Sequence, residues 1–470
     1  MKTVLAFDFG ASSGRAIRAV YENNEIKYEE IHRFENIPEI VDGHVCHDVD
    51  MILGEIKAAV DKAGAVDSLA FDTWGVDYGL LDKEGKLIHK PFHYRDGRTS
   101  AALEKAFAVL PSDVIYAETG NQIMNINTLF QLISDENLEK ADKILFMPDL
   151  FACLLTGKKV CETTIASTSQ MLNPLSKKWS SRVLESFGIR EELFPEICPS
   201  ATVNGEYKGI PVISVAGHDT QCAVAAMPGV SENAAFLSCG TWSLIGCELD
   251  EPIMTAKSNA LELSNEIGAN GKINFLKNIS GLWLIQETRR DLEKTDRKYS
   301  YNELEMLARD SESFRSFIDP DAPELSAHGN LPDKIRAYCE KTNQPVPEDV
   351  GQLVRCIYES LALKYRLALE QISECTQKHF DVLHLMGGGT KDGFLCELTS
   401  ESLGIPVVAG PVEATALGNI ILQLVALGEI ESVNEGRKII ARNEKVKKYE
   451  GKHSPLWDDA FERFCKIIKK

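Results

Sequence analysis

Three kinds of feature are scarce or missing in this 470-residue chain, and each absence argues against a class of protein. No apolar stretch approaches the roughly 18 residues that a membrane-spanning helix needs. The 12 cysteines show no paired C-x-x-C spacing, which disfavours a zinc or redox site. Basic residues are outnumbered, since 51 Lys and Arg face 70 Asp and Glu and the net charge is -19. Nucleic acid and anionic membranes are therefore not expected partners.

The same acidity limits how the chain can bind a phosphorylated ligand. Without a basic surface, phosphate groups need a metal ion and local backbone N–H donors. The scattered cysteines are expected to be buried, reduced thiols, including Cys239 and Cys247 on one hairpin. The N-terminal Met-Lys-Thr and its β-like continuation do not resemble a signal peptide, so a cytoplasmic location is expected. The length and the 44% hydrophobic content predict two large lobes.

A small-residue turn, Gly10-Ala-Ser-Ser-Gly14, follows an apolar run that contains Asp8. The turn fits the G-x-S-x-G of a serine hydrolase, a dinucleotide loop and a phosphate-binding hairpin. The first two need a helix directly after the turn, because its N-terminus supplies the donors. The residues after Gly14 instead favour a strand, a turn and another strand. This pattern favours a hairpin that binds an anion through backbone N–H groups and serine hydroxyls, or an ordinary β-turn capped by Asp8.

The predicted order of elements occurs twice. The first copy has three strands, a helix behind an Asp48 cap, and a strand at residues 69–74. The second copy has two strands joined by a small-residue turn within 234–246, a third strand at 273–278, a helix at 353–365 and a strand at 382–386. A duplicated βββαβ unit predicts two similar lobes whose hairpins face each other across a cleft. Nucleotide phosphates are expected to bind between them.

Two stretches carry residues suited to sugar phosphorylation. In Gly217-His-Asp-Thr220, Asp219 lies between a strand-like and a helix-like segment. It can cap the helix, or it can act as the general base that takes a proton from an acceptor hydroxyl. A hydrolase triad of Ser12 and His218 is disfavoured by the missing helix. The stretch Asp72–Tyr78 combines Trp74, a flexible glycine and two carboxylates, which is typical of a sugar site, although a strand with one core tryptophan remains the alternative.

Three further stretches have open interpretations. The charges of Tyr94–Thr99 fit either a binding loop or a solvated loop of ion pairs. Gly387–Thr390 ends a strand and either lets an adenine or ribose approach closely or forms a tight turn. Gly418 lies inside a predicted helix, where a glycine costs about 1 kcal/mol relative to alanine. This position therefore predicts close packing or ligand approach.

Together these stretches resemble the FGGY family of carbohydrate kinases, members of the actin and hexokinase ATPase superfamily. The resemblance covers nearly the whole chain, and the matching segments are Asp8–Arg15, Asp72–Asp77, Gly217–Thr220, Ser238–Ser243, Asn278–Gln286 and Gly410–Ala414. The implied fold is α/β, with two RNase H-like (actin-like ATPase) domains, each with a βββαβ core, hinged around a central cleft. The expected domains are 1–230 for the sugar and the phosphate hairpin, 231–430 for the nucleotide, and a C-terminal helical segment, 431–470, that packs back on the lobes.

The resemblance also implies roles for residues at matching positions. Asp219 would be the catalytic base, and Asp8 would anchor Mg²⁺ through water. The residues expected to bind ATP are Ala11, Ser12, Ser13, Gly14, Arg15, Thr241, Gln286 and Gly389. The residues expected to line the sugar site are Gly75, His218, Asp219, Thr220 and Asn278, to which the sugar-like stretch adds Trp74 and Asp77. Phe9 and Cys239 depart from the family's phosphate turns, but neither carries an assigned role.

The expected reaction is transfer of the γ-phosphoryl group of ATP to the 1-hydroxyl of L-rhamnulose, by a monomer or weak homodimer. A kinase for another ketose or polyol, such as L-fuculose, is one alternative. A non-catalytic, actin-like ATP switch is another. Asp219 and the sugar-like stretch argue against the switch, and ATP turnover stimulated by small sugars would exclude it.

Overall fold

The computed structural model describes residues 1–10, 12–229, 231–295 and 297–469. Their contacts divide the chain into two compact units. The first unit comprises Met1–Val230, Glu248–Phe275 and Ala414–Glu444. The second comprises Ser231–Cys247, Leu276–Glu413 and Lys445–Lys470. Each unit contains a mixed β-sheet with helices, which confirms the predicted two-domain α/β class.

The sheet of the first unit places three parallel strands side by side. Its strand order is Thr202–Tyr207, Ile210–Ser214, Ser68–Thr73, Lys2–Phe9, Ser13–Glu22 and Glu25–Glu35. Lys2–Phe9 and Ile210–Ser214 both run parallel to Ser68–Thr73, whereas Ser13–Glu22 is antiparallel to Lys2–Phe9. In open sheets of this kind, ligands bind beyond the carboxyl ends of parallel strands. The edge at which these three strands end is therefore the place to look for a site.

Helices cover this sheet and bury its central strand. Lys2–Phe9 is buried from Thr3 onward, as expected for a strand covered on both faces. The helix Val49–Ala63 contributes Ile52 and Ile56 to the same core, and Asp48 caps it by accepting a hydrogen bond from the Met51 N–H, as predicted. The helix Ala414–Ala426 packs against Lys2–Phe9 and against Asp219–Ala225.

Gly418 makes that last contact possible. A Cβ atom at this position would lie 1.8 Å from the backbone oxygen of Cys222. The close approach predicted from the sequence is therefore a contact between two helices.

The first unit also has a second core, formed around Phe130, Phe146, Trp179 and Phe194. The other helices of the unit are Ala102–Val109, Ser112–Thr119, Thr128–Ile133, Met147–Thr156, Thr163–Ala166, Ser181–Ser186, Ala256–Ala260 and Val433–Asn443. Its short strands are Glu39–Val41, His44–Cys46, Tyr78–Leu81, Lys143–Phe146, Cys161–Glu162, Leu172–Asn173, Lys178–Trp179, Ile197–Cys198 and Ser264–Ile267.

The second unit repeats the mixed arrangement. The strands Ile273–Ser280, Trp242–Leu249, Ala234–Cys239, Val382–Met386, Val407–Ala409 and Lys447–Tyr449 neighbour each other in that order. Its helices are Trp283–Thr295, Tyr301–Arg309, Leu331–Lys341, Val350–Thr376, Gly393–Leu403 and Pro455–Ile467. Three of these helices precede the long helix Val350–Thr376, so the second copy of the predicted order carries an insertion.

Several local predictions are confirmed. Ser13–Glu22 is a strand, so no helix follows the Gly10–Gly14 turn, and the hydrolase and dinucleotide interpretations are excluded. The cysteines are thiols as predicted, but only nine of the twelve are buried, because Cys198, Cys375 and Cys465 are half-buried. In the described part of the chain, no helix combines the length and apolar character that crossing a membrane requires. The hinge and the cleft stay predictions.

Candidate active site

Three aspartates lie at the carboxyl edge of the parallel strands in the first unit. Asp8 and Asp72 are Cα partners near the ends of Lys2–Phe9 and Ser68–Thr73. Asp219 begins the helix that follows the neighbouring strand Ile210–Ser214. The three side chains interact electrostatically, because the charges of Asp8 and Asp219 both help to raise the pKa of Asp72. The edge therefore concentrates three carboxyl groups, whose mutual repulsion disfavours ionisation of Asp72.

Asp72 is the most deeply buried of the three. Its Oδ2 accepts a hydrogen bond of 2.7 Å from Nδ2 of Asn419, whereas its Oδ1 has no hydrogen-bond partner among the described residues. Burial, reinforced by Asp8, raises the pKa of Asp72 well above its ordinary value, although Asn419 and Arg15 oppose the shift. A buried carboxylate oxygen without a donor has lost water without replacement, so a cation or an ordered water fits beside it.

Asp8 is partly neutralised by the hairpin that follows it. Arg15 is its Cα partner across the hairpin, and Nη2 of Arg15 lies 2.5 Å from Oδ2 of Asp8. In the turn itself, the Gly10 N–H donates to the carbonyl of Ser13 at 2.9 Å. The predicted phosphate ligand Ala11 lies outside the described residues, whereas Ser12 is exposed and Ser13 is half-buried. The turn thus offers hydroxyls and one arginine close to Asp8.

Gly14 is explained by packing. A Cβ atom there would lie 2.2 Å from the ring of Phe34 on the next strand. A side chain at position 14 would displace this ring, so the packing favours glycine whether or not a phosphate binds nearby.

Asp219 makes a contact typical of a helix terminus and still remains accessible. Its Oδ1 accepts a hydrogen bond of 2.5 Å from the Thr220 N–H, while 32% of its side chain is exposed. Burial raises the pKa of Asp219, the charge of Asp8 adds to the rise, and His218 opposes it. A carboxylate with a raised pKa is a stronger proton acceptor, which suits a general base.

Glu162 holds the corner that precedes Asp219. Its Oε2 accepts hydrogen bonds from the N–H groups of Gly217 at 2.9 Å and Thr164 at 2.9 Å, and its Oε1 accepts one of 2.6 Å from the Ser200 hydroxyl. The sequence analysis missed this residue. In the sequence Glu162 is an acidic residue before two threonines, and nothing local relates it to Gly217.

The ring of His218 lies between two carboxylates. Its Nε2 is 3.4 Å from Oδ1 of Asp219, and its Nδ1 is 3.3 Å from Oε2 of Glu266. Glu266 comes from the strand Ser264–Ile267 and was also missed by the sequence analysis. The predicted sugar residue Gly75 borders the same ring, since a Cβ atom at Gly75 would lie 3.4 Å from it. The predicted residues Gly75, His218 and Asp219 are thus brought together.

The predicted sugar residues Trp74 and Asp77 form a buried pair. Nε1 of Trp74 donates to Oδ2 of Asp77 at 2.9 Å, and the same carboxylate accepts hydrogen bonds of 2.7 Å from His47 and 2.9 Å from Gln131. Burial disfavours the carboxylate, yet the hydrogen bond and charge of His47 outweigh it and lower the pKa of Asp77. Protein donors therefore engage Asp77, and its observed role is to hold Trp74 in place.

The loop with Asp96 and Arg98 supports the same region. Both side chains are buried, and Nη2 of Arg98 donates to Oε1 of Gln131 at 2.7 Å. The alternative interpretation as a solvated loop of ion pairs is wrong, because this pair belongs to the network around Asp77.

The predicted nucleotide residues Thr241, Gln286 and Gly389 lie in the second unit, whereas those of the Gly10–Gly14 turn and Arg15 lie in the first. The hydroxyl of Thr241 donates to Oε1 of Gln286 at 3.4 Å, and the carbonyl of Thr241 accepts from the N–H of Trp283. A Cβ atom at Gly389 would lie 2.3 Å from Sγ of Cys239, so this glycine too is needed for packing. Asn278 lies on the strand Ile273–Ser280 and is half-buried. Thr241 and Gln286 are therefore in contact, while Gly389 packs beside the same turn.

The fold and these sites define a two-domain α/β phosphotransferase of the actin and hexokinase type. The model of the N-terminal domain of the FGGY family of carbohydrate kinases matches residues 3–231, and the model of its C-terminal domain matches 235–427. The chain belongs to the FGGY family of carbohydrate kinases, which confirms the predicted family and enzyme class.

Individual relatives match along the full chain. A rhamnulokinase of Bacteroides thetaiotaomicron is 41% identical, with 99% of each chain covered. A rhamnulokinase of Enterococcus faecalis is 38% identical, covering 100% of this chain and 98% of that protein. The crystal structure of a gluconate kinase from Lactobacillus acidophilus superposes with a TM-score of 0.82 at 16% identity, covering 100% of this chain and 98% of that one. At that identity the structural likeness concerns the fold alone.

Proposed function

We propose that this chain transfers the γ-phosphoryl group of ATP to the 1-hydroxyl of L-rhamnulose, giving L-rhamnulose 1-phosphate and ADP. The observation that carries the proposal is the 41% identity over almost the whole chain to a rhamnulokinase. An accessible carboxylate with a raised pKa, at the edge where α/β sheets bind ligands, supports it.

Asp219 is the proposed general base. As the acceptor oxygen attacks the γ-phosphorus, its bond to hydrogen breaks and the proton passes to Asp219, while the bond to ADP breaks toward the leaving oxygen. Positioning and charge neutralisation supply most of the catalysis of such a transfer. Glu162 fixes the peptide before His218, so it would position the base without contacting substrate.

Magnesium is a proposed cofactor, and the carboxyl groups at the ends of the parallel strands of the first unit are suitable ligands for it. Mg²⁺ prefers oxygen ligands, keeps several waters, and needs one or two carboxylates together with phosphates. No three His, Cys, Asp or Glu side chains in the described ranges form a metal site by themselves, which agrees with a metal shared with substrate. Asp8 would hold it through water, beside the unpartnered oxygen of Asp72. When bound, it would neutralise phosphate charge that an acidic protein cannot.

The other assignments are also part of the proposal. The phosphates of ATP would contact Arg15 and the turn before it, and the nucleotide would contact Thr241, Gln286 and Gly389. The sugar would contact Gly75, His218, Thr220 and Asn278, with Trp74 held by Asp77. The domain limits 1–230, 231–430 and 431–470, the monomeric or weakly dimeric state and the cytoplasmic location stay predictions.

A substrate panel tests the proposed acceptor. A coupled ADP-release assay compares L-rhamnulose with L-fuculose, L-ribulose, D-xylulose and glycerol. A methyl pocket separates homologues by about 1–3 kcal/mol, whereas unpaired buried polar groups reject a misplaced hydroxyl more strongly. L-rhamnulose should therefore give the highest kcat/KM. A tenfold preference for L-fuculose or D-xylulose would leave the assignment as a sugar kinase intact but would refute L-rhamnulose as the substrate.

A further inference from the structure

Glu266 is a buried carboxylate beside the proposed base and has no role in the mechanism above. It lies on the strand Ser264–Ile267, far in sequence from residue 219, and is 4% exposed. Its Oε2 is 3.3 Å from Nδ1 of His218, whose Nε2 is 3.4 Å from Oδ1 of Asp219. The three residues thus form a line in which the imidazole separates an accessible carboxylate from a buried one.

The position of Glu266 is fixed by the helix that carries the base. Nε2 of Gln221, two residues after Asp219, donates to Oε2 of Glu266 at 2.8 Å. The side-chain oxygen of Gln221 in turn accepts a hydrogen bond from Nδ2 of Asn274. The hydroxyl of Ser264 lies 3.4 Å from the other oxygen of Glu266. Glu266 therefore keeps a constant relation to the helix Asp219–Ala225.

The charges around His218 favour its protonated form. Burial opposes the imidazolium, but Glu266, Asp219 and Glu162 outweigh it and raise the pKa of His218 above its ordinary value. The imidazolium in turn lowers the pKa of Asp219, against burial and the charge of Asp8. A histidine held in one protonation state and orientation by a buried carboxylate is a recurring way to prepare a catalytic group.

We propose that Glu266 is a positioning residue for phosphoryl transfer, whose carboxylate holds Nδ1 of His218 so that Nε2 stays at Asp219. This inference rests on the proposed function, because it requires Asp219 to be the base. The two contacts, at 3.3 and 3.4 Å, have ion-pair distances without hydrogen-bond geometry, and Nδ1 of His218 has no hydrogen-bond partner among the described residues. Catalytic hydrogen bonds are often long or poorly aligned before substrate binds, so the proposal requires that the contact between Glu266 and Nδ1 tightens in the substrate complex. A structural role, closing the network with Gln221, is the competing explanation.

The test begins with Glu266→Gln, which keeps an oxygen for Gln221 but removes the negative charge. Steady-state constants for L-rhamnulose and for ATP are measured from acid to neutral pH. We expect kcat/KM for the sugar to fall about 10- to 100-fold, as when groups that orient functional histidines are removed. KM for ATP should stay within about twofold, because neither Glu266 nor His218 is among the residues assigned to ATP.

The pH profile should separate the two explanations. Without Glu266 the pKa of His218 falls, the imidazolium is populated less, and the pKa of Asp219 rises because it loses part of that opposing charge. The acid limb of the kcat profile should therefore move to higher pH in Glu266→Gln and recover partly in Glu266→Asp. A purely structural role would lower kcat without moving that limb.

A matched control and a double-variant cycle complete the test. Glu359 is an equally buried carboxylate in the second unit, bonded to Arg355 at 2.7 Å, and Glu359→Gln should leave the sugar constants unchanged. In a His218→Gln background, Glu266→Gln should add little further loss, because its effect passes through the imidazole. An additive loss, or kinetics equal to those of Glu359→Gln, would overturn the proposal. If Glu266→Gln does not fold, the same double-variant cycle with Glu266→Asp and His218→Gln tests the proposal by the same criterion.

The outcomes also separate this inference from the proposed function. If the unaltered protein phosphorylates none of the sugars in the panel, the proposed function fails. If it does phosphorylate one, and Glu266→Gln behaves like the control, the role of Glu266 alone is refuted.

Discussion

The two units carry the same strand arrangement with different chemistry at equivalent positions. In the first unit, Lys2–Phe9 forms an antiparallel hairpin with the next strand and lies parallel to Ser68–Thr73 on its other side. Near the carboxyl ends of these two parallel strands, Asp8 is paired with Asp72. In the second unit, Ala234–Cys239 pairs in the same way with Val382–Met386, and the last pair is Ser238 and Met386. The edge is thus acidic in the first unit and uncharged in the second.

Under the proposed function, this difference would give the two repeats different binding roles. A carboxylate pair attracts a divalent cation and repels bare phosphate, whereas an uncharged turn allows a nucleotide to approach. The turn of the second unit is closely packed, with Gly389 against Cys239. The repeated fold supplies the scaffold, and the residues at the strand ends decide what each copy binds.

The largest expected effect is at the base. Asp219→Asn should lower kcat by about 10²–10⁴-fold while ATP still binds, because the amide cannot accept the proton. Steady-state kinetics with a nucleotide-binding measurement checks this.

The control for Asp219 is a helix cap in the second unit. Asp349 accepts a hydrogen bond of 2.8 Å from the Gln352 N–H, and Asp349→Asn should keep normal kcat. If Asp219→Asn behaved like Asp349→Asn, Asp219 would be a cap and the comparison between the units would lose its functional meaning.

A smaller effect is expected at the acidic pair. Asp8→Ala should raise the magnesium concentration needed for half-maximal turnover by roughly 10- to 100-fold, the loss typical of outer-sphere partners of a metal. Titration of activity with MgCl₂ measures this. Ser238→Ala, at the equivalent position of the second unit, should leave the magnesium dependence unchanged, and equal shifts in both variants would refute the proposed difference in binding roles.

Two helix glycines of the first unit provide a stability comparison. Gly418→Ala forces a Cβ atom against the backbone of Cys222 and should destabilise the protein by about 1–3 kcal/mol. Gly54, in the helix Val49–Ala63, has open space around its Cβ position, and Gly54→Ala should stabilise the protein by about 0.5–1 kcal/mol. Denaturant unfolding of both variants measures the difference, and effects of the same sign would contradict the packing described here.

The smallest expected effect is a displacement of the pH profile. Burial and Asp8 raise the pKa of Asp219, so protonation should switch off the base at a higher pH than for an ordinary aspartate. Activity should therefore fall as the pH drops through that raised pKa. Reducing the charge with Asp8→Asn should move the acid limb of kcat to lower pH, measured at saturating magnesium, and a limb that stays in place would show that Asp8 does not act on Asp219.

Sequence patterns identified the candidate functional residues at the ends of strands but not the buried carboxylates that contact them. Asp8 and Asp219 could be predicted because each follows or ends a strand-like apolar run, and Gly418 because a glycine inside a helix needs a reason. Glu162 and Glu266 were missed because their partners, Gly217 and His218, are distant in sequence and come into contact only through the fold.

Two glycines were identified from the sequence, but the packing contacts that favour glycine there were not predicted. Gly14 and Gly389 were predicted from their motifs to contact ATP, but the steric reasons for them are the ring of Phe34 and the sulfur of Cys239. Neither contact can be read from a turn sequence. The inserted helices between the strand Ile273–Ser280 and the helix Val350–Thr376 were likewise hidden, because a repeat of strands and helices does not reveal what has been added between its members.

The proposed function requires the acidic edge to direct a phosphoryl group to one hydroxyl of a ketose. Phosphorus and proton NMR of the product formed from ATP and L-rhamnulose tests this requirement. One sugar phosphate is expected for each ADP, with its phosphorus coupled to the protons on C1. Inorganic phosphate released without a sugar phosphate, or phosphate attached to another carbon, would contradict it.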